Sequence, residues 1–340
     1  MKDSKDSVIR DSRSETMTNT LSVIVPCYNE SEMIYSFYDS LKRVLEGLKG
    51  FEYEIIFVDD GSSDDTFAKL SQIFRQNARV TVCSLSRNFG HQIALSAGLD
   101  RARGNVVIMM DADLQHPPCL IPEMIDKWRD GYDVVSAVRK HTEDVSFCKH
   151  WTSKGFYFLF NKLSSTHIPE GAADFCLLDR QAFMTLRAMP ERHRFLRGMI
   201  SWMGFRRAYL PYEAPKRPAG RSKYNMWKMI NLATEAILSF SALPLLVAVR
   251  IGLVITLLGF VYLAWILGRF LILRDLVPGW SSLICVILII GGFQIMLVGL
   301  IGQYLARLFD EVKGRPLYLT KAELGCTQEM EDNHSGAAND

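Results

Sequence analysis

Two carboxylates one residue apart, Asp111 and Asp113, are the first side chains in this 340-residue chain whose type and spacing could do chemistry. They end the apolar run of "VVIMMDADLQHPP". On an extended segment, side chains two residues apart point the same way, so both acids and Gln115 would face one ligand. Such oxygen ligands suit a hard divalent cation, Mg²⁺ or Mn²⁺. The pattern predicts a metal site that binds a diphosphate.

A second acidic pair, Asp59 and Asp60, ends the strand pattern "IIFVDD". A helix N-cap in the following "GSSDD" explains only part of this stretch. A carboxylate at that position can accept hydrogen bonds from a base N–H or from ribose hydroxyls. The first turn, "PCYNES", contains no glycine, so neither a Rossmann dinucleotide loop nor a P-loop is present. A bound nucleotide would need another group, such as a metal, to neutralise its phosphates.

The elements that must position these acids alternate between strand and helix patterns from Leu21 to Arg139. This alternation predicts an α/β fold with a mostly parallel sheet covered on both faces. Ligands bind such sheets at the carboxyl ends of the strands. The rule brings together four polar segments: 26–30, 59–60, 86–88 and 111–115.

The chain becomes strongly apolar from about Leu243. Two runs, 243–273 and 281–305, are each long enough to cross a bilayer and are separated by a short connection. Basic residues before the first run and after the second predict that both termini are cytoplasmic. The predicted organisation is a disordered tail (1–20), a cytoplasmic α/β domain (21–223), an amphipathic interfacial helix (224–242), two transmembrane helices (243–306) and a cytoplasmic C-terminal tail (307–340).

Charge and cysteine content narrow the possible partners. The formal net charge is +2 without a long basic run, so no nucleic-acid partner is expected. The seven cysteines form no C-x-x-C pair and are interpreted as free thiols. Three cations could bind a phosphate group: Arg221 and Lys223 in "GRSKY", and Arg139 at the end of "SAVR".

Several motifs together resemble the inverting family-2 glycosyltransferases, which have the GT-A fold. They are "SVIVPCYNE", "EIIFVDDGSSDDT", "LSRNFGHQIALSAGLDRARG", "VIMMDADLQHPP" and "ADFCLLDR". "RSKY" and the paired apolar runs narrow the resemblance to polyprenyl-phosphate glycosyltransferases. These include dolichol-phosphate mannose synthases and undecaprenyl-phosphate glucosyltransferases of the GtrB type. The resemblance covers about Leu21 to Arg315.

The resemblance implies roles for individual residues. Asp111, Asp113 and Gln115 would hold the metal and the diphosphate, with Asp113 taking part in catalysis and Asp111 also contacting the nucleotide. Asp174 would be a catalytic base or an orienting group near the acceptor. Asp179 fits a helix N-cap better than Asp174 does. The residues implied to contact the nucleoside are Pro26, Tyr28, Glu30, Asp59 and Asp60.

The expected function is therefore transfer of a sugar from a nucleotide sugar to a polyprenyl phosphate, with inversion. The resemblance favours UDP-glucose as donor, and implies a multi-pass protein of the inner (plasma) membrane that could form a homotetramer. UDP-N-acetylglucosamine, an amino-arabinose donor and GDP-mannose remain open, the last as in a dolichol-phosphate-mannose-type synthase.

Three other classes of protein compete with this interpretation. A processive polysaccharide synthase would carry Q-x-x-R-W, which "RFLRGMISW" does not match. A sugar-1-phosphate nucleotidyltransferase would need a glycine-rich first turn with basic residues. A non-catalytic membrane scaffold would have no need of the full set of acids.

Overall fold

The computed structural model describes residues 19–140, 171–213, 243–273 and 279–325, which belong to two compact units. The first unit contains the sheet and its helices, and the second contains two long helices. The predicted interfacial helix (224–242), most of the predicted N-terminal tail, and the candidate phosphate ligands Arg221 and Lys223 lie outside the described residues.

The first unit is built on an eight-stranded sheet in the order β7-β5-β6-β4-β1-β2-β3-β8. Its strands are β1 (Asn19–Cys27), β2 (Phe51–Asp59), β3 (Val80–Leu85), β4 (Val106–Met109), β5 (Val134–Arg139), β6 (Ala172–Asp179), β7 (Arg207–Tyr212) and β8 (Thr320–Leu324). Its helices are α1 (Ile34–Glu46), α2 (Thr66–Gln76), α3 (His91–Arg101), α4 (Ile121–Arg129), α5 (Arg180–Ala188) and α6 (Leu196–Trp202).

The centre of the sheet is parallel and apolar, as the sequence predicted. β1 pairs in parallel with β2 and β4, and its residues from Leu21 onward are buried. α1 covers the sheet with its apolar side, which buries Phe37, Leu41 and Leu45. A strand buried on both faces needs a continuous apolar run, whereas a covering helix needs an apolar stripe. The mostly parallel α/β fold is confirmed.

Strands β6 and β8 are antiparallel and were not predicted. β6 lies between β4 and β5 and thereby carries Asp174, near its first residue, to the edge where the parallel strands end. The last residue of β6, Asp179, caps α5 by accepting from the Gln181 N–H at 3.1 Å, as expected. β4 is shorter than predicted and ends at Met109, so Asp111 and Asp113 lie in the loop beyond it.

The C-terminal segment predicted as a tail (307–340) contains ordered structure. The second long helix continues to Val312, and β8 then pairs antiparallel with β3 at the edge of the sheet. A five-residue polar strand gives almost no periodicity, so the sequence alone did not distinguish it from a tail.

The second unit contains α7 (Leu243–Leu273) and α8 (Trp280–Val312). Large apolar side chains on both helices are exposed, including Leu257 and Ile301. By length and composition, one segment of the described chain, Ile290–Val312, suffices to cross a membrane, and a shorter apolar helix covers Ala248–Gly259. The hairpin of two spans remains a prediction.

Candidate active site

The loops after β1 and β2 are joined to each other by hydrogen bonds. The Asn29 N–H donates to Ser62 Oγ at 3.0 Å, and Asn29 Oδ1 accepts from the Ser63 N–H at 2.9 Å. The Glu30 N–H donates to Thr66 Oγ1 at 2.9 Å. Asn29 has a φ of 54°, a left-handed conformation that asparagine tolerates better than most residues. These bonds make one rigid rim from two loops that are distant in sequence.

Three of the residues implied to contact the nucleoside lie at the end of β1 or in the loop that follows it. Pro26 is buried within β1, where it pairs with Val58. Tyr28 is 42% exposed, and Glu30 is half-buried. Of the three, Tyr28 therefore offers the most surface to a ligand.

Asp59 lies in the floor of the site rather than at its surface. Its carboxylate accepts hydrogen bonds from the Ser62 N–H at 3.0 Å and from the Ser84 hydroxyl at 2.8 Å. With 2% of its surface exposed, Asp59 fixes the end of β2 to β3. The implied contact with a nucleoside stays a prediction.

Asp60 holds the loop between β3 and α3. Its two oxygens accept from the backbone N–H groups of Phe89 at 2.7 Å and Gly90 at 3.0 Å. Burial raises the pKa of Asp60, and those two hydrogen bonds only partly offset the effect. Gly61 follows with a φ of 66° and packs so closely that a β-carbon would lie 2.4 Å from the Arg87 carbonyl carbon.

In the loop after β4, Asp111 and Asp113 are half-buried, and the Ala112 between them is buried. Asp113 Oδ1 accepts from the Gln115 N–H at 3.0 Å. Leu114 has a φ of 58°, so the chain is no longer extended at that point. The expectation that Gln115 lies on the same side as the acids rested on an extended chain, and that premise fails between Asp113 and Gln115.

His116 is buried behind this loop and is hydrogen-bonded to its backbone. Its Nδ1 accepts from the Asp111 N–H at 2.9 Å, which places the ring hydrogen on Nε2. The ring is 6% exposed and stacks on Phe175 at a centroid distance of 5.2 Å. Its edge contact with Tyr212 has a centroid distance of 6.3 Å. The histidine in "DADLQHPP" is thus a support of the acidic loop.

Asp174 is almost completely enclosed by cationic and polar groups. The Arg197 guanidinium donates to both of its oxygens, at 2.6 and 2.8 Å, and Gln92 Nε2 donates at 3.1 Å. Burial by itself would raise the pKa of Asp174, but Arg197 and His91 hold it well below the ordinary value. Arg197 therefore fixes the position of the carboxylate and favours its ionised form, and the choice between an orienting role and that of a base stays a prediction.

His91 lies between the acidic loop after β4 and Asp174 of β6. Its Nε2 lies 3.4 Å from Asp111 Oδ1 and 3.4 Å from Asp174 Oδ2. Burial lowers the pKa of His91, but the two carboxylates outweigh it and raise the pKa to about 9. The imidazole side chain is 40% exposed, so a ligand can reach this junction.

The sequence did not identify His91, Gln92 or Arg197 as site residues. The first two begin α3, directly after the loop held by Asp60, so "FGHQ" at a strand-to-helix turn was a usable signal. Arg197 is the second residue of the short helix α6 and reaches Asp174 only through the tertiary fold. No spacing in the sequence indicates that pairing.

Arg139 ends β5 beside Tyr212 of β7 and is exposed at the same edge of the sheet. Burial raises the pKa of Tyr212 to about 12, with Arg139 opposing and Asp111 and Asp113 adding to the shift. Arg139 therefore lies at the end of β5, opposite Tyr212, and its role as a phosphate ligand stays a prediction.

The acidic loop fits a divalent cation that takes its remaining ligands from substrate and water. Asp111 Oδ1 is buried and accepts no hydrogen bond from the described part of the chain. No cluster of three or more His, Cys, Asp or Glu side chains able to hold a metal occurs among those residues. Mg²⁺ is commonly bound by one or two carboxylates together with substrate phosphates, and two carboxylates are what this loop offers.

Known proteins are similar in sequence to this chain over most of its length. A glycosyltransferase of Synechocystis is 43% identical, covering 89% of this chain and 95% of the relative. The prophage-derived bactoprenol glucosyl transferase of Shigella flexneri is 40% identical, covering 88% of this chain and 97% of the relative. An Escherichia coli prophage bactoprenol glucosyl transferase homolog is also 40% identical, covering 88% of this chain and 98% of the relative.

Among solved structures, the mannosyltransferase PcManGT from Pyrobaculum calidifontis, in complex with GDP-Man and Mn²⁺, is 17% identical with a TM-score of 0.41. The match covers 67% of this chain and 68% of that structure's chain. The model of glycosyl transferase family 2 matches residues 22–187, the part of the chain that carries both acidic pairs and Asp174. Together with relatives sharing two fifths of their residues over nearly the whole length, this match shows that the chain is a glycosyltransferase and belongs to glycosyl transferase family 2.

Proposed function

We propose that this glycosyltransferase transfers glucose from UDP-glucose to a polyprenyl phosphate at the cytoplasmic face of the inner membrane. The observation that carries the proposal is the junction at His91, where the acidic loop of Asp111 and the buried carboxylate of Asp174 lie within 3.4 Å of one nitrogen. A transferase of this kind must bring a donor diphosphate and an acceptor to one point. The relatives named bactoprenol glucosyl transferases support the choice of glucose and of a lipid acceptor.

The reaction is a single displacement. A phosphate oxygen of the lipid attacks the anomeric carbon and forms the new C–O bond. The bond from that carbon to the diphosphate breaks, and its electron pair leaves with UDP. Because the attack comes from the opposite side, the product has the inverted configuration. A phosphate is already ionised near neutral pH, so a strong general base is not required.

The residues of the site divide this work by position. Asp111 and Asp113 would hold a divalent cation, which supplies charge stabilisation to the leaving diphosphate. Mg²⁺ and Mn²⁺ both suit two carboxylates, and the choice between them is part of the test below. Asp174, fixed by Arg197, orients the sugar or the acceptor. Arg139 is the described candidate for holding the acceptor phosphate.

The lipid acceptor requires the site to work at a membrane surface. The apolar segment Ile290–Val312 supports membrane association. A two-span hairpin of α7 and α8 with both termini in the cytoplasm, and a basic loop in which Arg221 and Lys223 approach the lipid phosphate, complete the proposal. The proposal also includes assembly as a homotetramer, which the mass of the detergent-solubilised protein would test.

The experiment is a transfer assay on membranes that contain the protein. Radiolabelled UDP-glucose, UDP-N-acetylglucosamine, an amino-arabinose donor and GDP-mannose are each offered with undecaprenyl phosphate, in EDTA, Mg²⁺ or Mn²⁺. We expect label in organic-extractable lipid from UDP-glucose, and only when metal is added. Label in a polymer would indicate a processive synthase, and pyrophosphate release would indicate a nucleotidyltransferase. A membrane scaffold would give no transfer from any donor.

A further inference from the structure

The segment that follows α8 returns to the edge of the sheet. Residues 316–325, here named the C-terminal clasp, follow a short connection from Val312 and include β8. β8 pairs antiparallel with β3, with Val82 opposite Leu324 and Ser84 opposite Ala322. The clasp is therefore bound to the strand that leads into the loop between β3 and α3.

Arg101, the last residue of α3, makes the central polar contact of the clasp. Its Nε and Nη2 lie 2.9 and 3.0 Å from the two carboxylate oxygens of Glu323. Nη2 also donates to Thr320 Oγ1 at 3.1 Å, and Nη1 donates to Tyr318 Oη at 3.0 Å. Only 13% of the Arg101 side chain is exposed. A planar guanidinium that binds three residues of one segment holds that segment in a single register.

Two further bonds fix the start of the clasp. The Tyr318 hydroxyl donates to Asp100 Oδ2 at 2.9 Å, and burial raises the pKa of this tyrosine to about 12. The Ser86 N–H donates to the Leu319 carbonyl oxygen at 2.8 Å. Ser86 is the first residue after β3, so this bond acts on the loop and not on the regular part of the sheet.

The strand and loop held by the clasp also hold the acids of the site. Ser84 donates to Asp59 on the other side of β3, and Phe89 and Gly90 of the loop donate to Asp60. The loop then leads into His91, which contacts Asp111 and Asp174. The clasp thus fixes one edge of β3 and the C-terminal end of α3. The other edge of β3 and the N-terminal end of α3 contact the acids of the site.

We propose that the C-terminal clasp is a positioning element for the donor nucleotide, and that Arg101 and Glu323 are its positioning residues. By pairing with β3, the clasp keeps Ser84 in place to bond Asp59. By holding Ser86 and the end of α3, it keeps the loop at residues 86–90 in the geometry that bonds Asp60. This inference rests on the proposed function only in taking a nucleoside diphosphate as the ligand of that side of the site. It adds a segment beyond the membrane helix to the donor site.

The test measures nucleotide binding by calorimetry on the full-length protein in lipid nanodiscs, with UDP and GDP as probes and metal present. We expect Arg101→Ala and Glu323→Ala each to weaken binding about tenfold, which corresponds to about 1.4 kcal/mol. Donor KM should rise in parallel, while kcat at saturating donor and the KM for lipid phosphate change less than about twofold. Arg101→Lys should recover binding in part because it keeps the charge, and Lys321→Ala, an exposed change on β8, should leave binding unchanged.

Three results would overturn the proposal. One is unchanged nucleotide affinity in Arg101→Ala despite a lower melting temperature, because the clasp would then only stabilise the fold. Another is a loss of kcat and of lipid affinity as large as the loss of nucleotide affinity. The third is full nucleotide affinity in a chain that ends after Arg315 and therefore lacks the clasp. Tight binding of GDP instead of UDP by the unmodified protein would reject the proposed donor. The clasp would then be tested by comparing the GDP affinity of each variant with that of the unmodified protein.

Discussion

At the scale of single residues, the site is organised by charge pairing around one buried carboxylate. Asp174 is 8% exposed, and Arg197 donates to both of its oxygens. A buried charge is tolerated when it is paired and hydrogen-bonded, and the pairing fixes its position as well as its ionisation. The acid implied to be catalytic by resemblance therefore serves here as a fixed negative point beside His91.

Removing the partner of Asp174 should affect both stability and transfer. We expect Arg197→Ala to lower the free energy of unfolding by about 3 kcal/mol at pH 7, since it leaves a buried charge without its main partner. Transfer should fall at least about a hundredfold, because the orienting carboxylate is displaced. Arg197→Lys should lose less stability, and Arg180→Ala, a change at an exposed position at the start of α5, should leave both stability and transfer unchanged.

The pH dependence of that loss has a definite sign. The pKa of Asp174 is depressed in the folded protein, so its stabilising contribution is complete above the pKa of an ordinary carboxyl group. It is lost as the pH falls through the depressed value. The difference in melting temperature between the unmodified protein and Arg197→Ala should therefore be full at pH 7 and shrink as the solution becomes acidic. A difference that stayed constant into acid would contradict the pairing.

A second residue-scale prediction concerns the acidic loop. Replacing Asp113 by Asn keeps the shape of the side chain but removes its charge, so metal-dependent transfer should fall by at least about a hundredfold. The protein should remain in the membrane fraction, because Asp113 lies in the unit that contains the sheet. Mn²⁺ binding, followed by paramagnetic resonance, provides a readout independent of turnover. Unchanged turnover with unchanged Mn²⁺ binding would remove Asp113 from the metal site.

At the scale of elements, the site depends on how closely three strand-end loops approach one another. Asn29, Ser62 and Ser63 join the first two loops, and Asp60 joins the second to the third. Gly61 lies at the closest point, where only a hydrogen atom fits beside the Arg87 backbone. The acids are thus positioned by contacts between loops as much as by the strands that carry them.

Gly61→Ala should separate these loops. A β-carbon at that position would lie 2.4 Å from a backbone carbon, and a backbone atom cannot rotate away as a side chain can. We expect nucleotide affinity to fall at least about tenfold, with the melting temperature lowered. Gly50→Ala is the matched control, because Gly50 also has a positive φ, 78°, but nothing lies within 4 Å of its added β-carbon. That control should lose only about 1 kcal/mol of stability from backbone strain and keep its nucleotide affinity. Equal effects of the two changes would show that close loop packing is unimportant.

At the scale of the whole molecule, two units of different chemistry are joined by one chain. The unit containing the sheet buries its apolar residues, whereas α8 exposes Ile301, Leu305 and other large apolar side chains. Exposed apolar surface of this extent is stable in contact with lipid. This surface supports membrane association, which the proposed lipid acceptor requires.

The proposed two-span topology makes a prediction for reporters fused to the chain. A reporter after Asp340 should be cytoplasmic, and one inserted at residues 274–278 should lie on the opposite side. Ile301→Asp places a charge within the span of α8 at a cost of about 3 kcal/mol, so part of the C-terminal reporter should move to the opposite side. Ile301→Leu should leave both reporters in place. A C-terminal reporter outside the cytoplasm in the unmodified protein would refute the two-span arrangement.

Much of the fold and part of the site could be predicted from local sequence. The continuous apolar runs of β1 and β2 and the apolar stripe of α1 are local patterns, so their existence and order were predicted. The meeting of polar segments at the carboxyl ends of the parallel strands was predicted from the same local strand patterns. Strand β6 was missed although it is apolar, because its antiparallel insertion between β4 and β5 depends on pairing across more than sixty residues of sequence.

The sequence by itself determined the α/β class, the apolar C-terminal region and the two acidic pairs, because each of these is written in residues close together along the chain. Only the tertiary structure decided that Arg197 and His91 enclose Asp174, that Asp59 and Asp60 fix loops, and that β8 returns to the sheet. These contacts join residues far apart in sequence, and their energies depend on burial and geometry that no local pattern records. The chemistry of the site was therefore predictable as a set of acids, whereas its electrostatic organisation was a property of the folded chain.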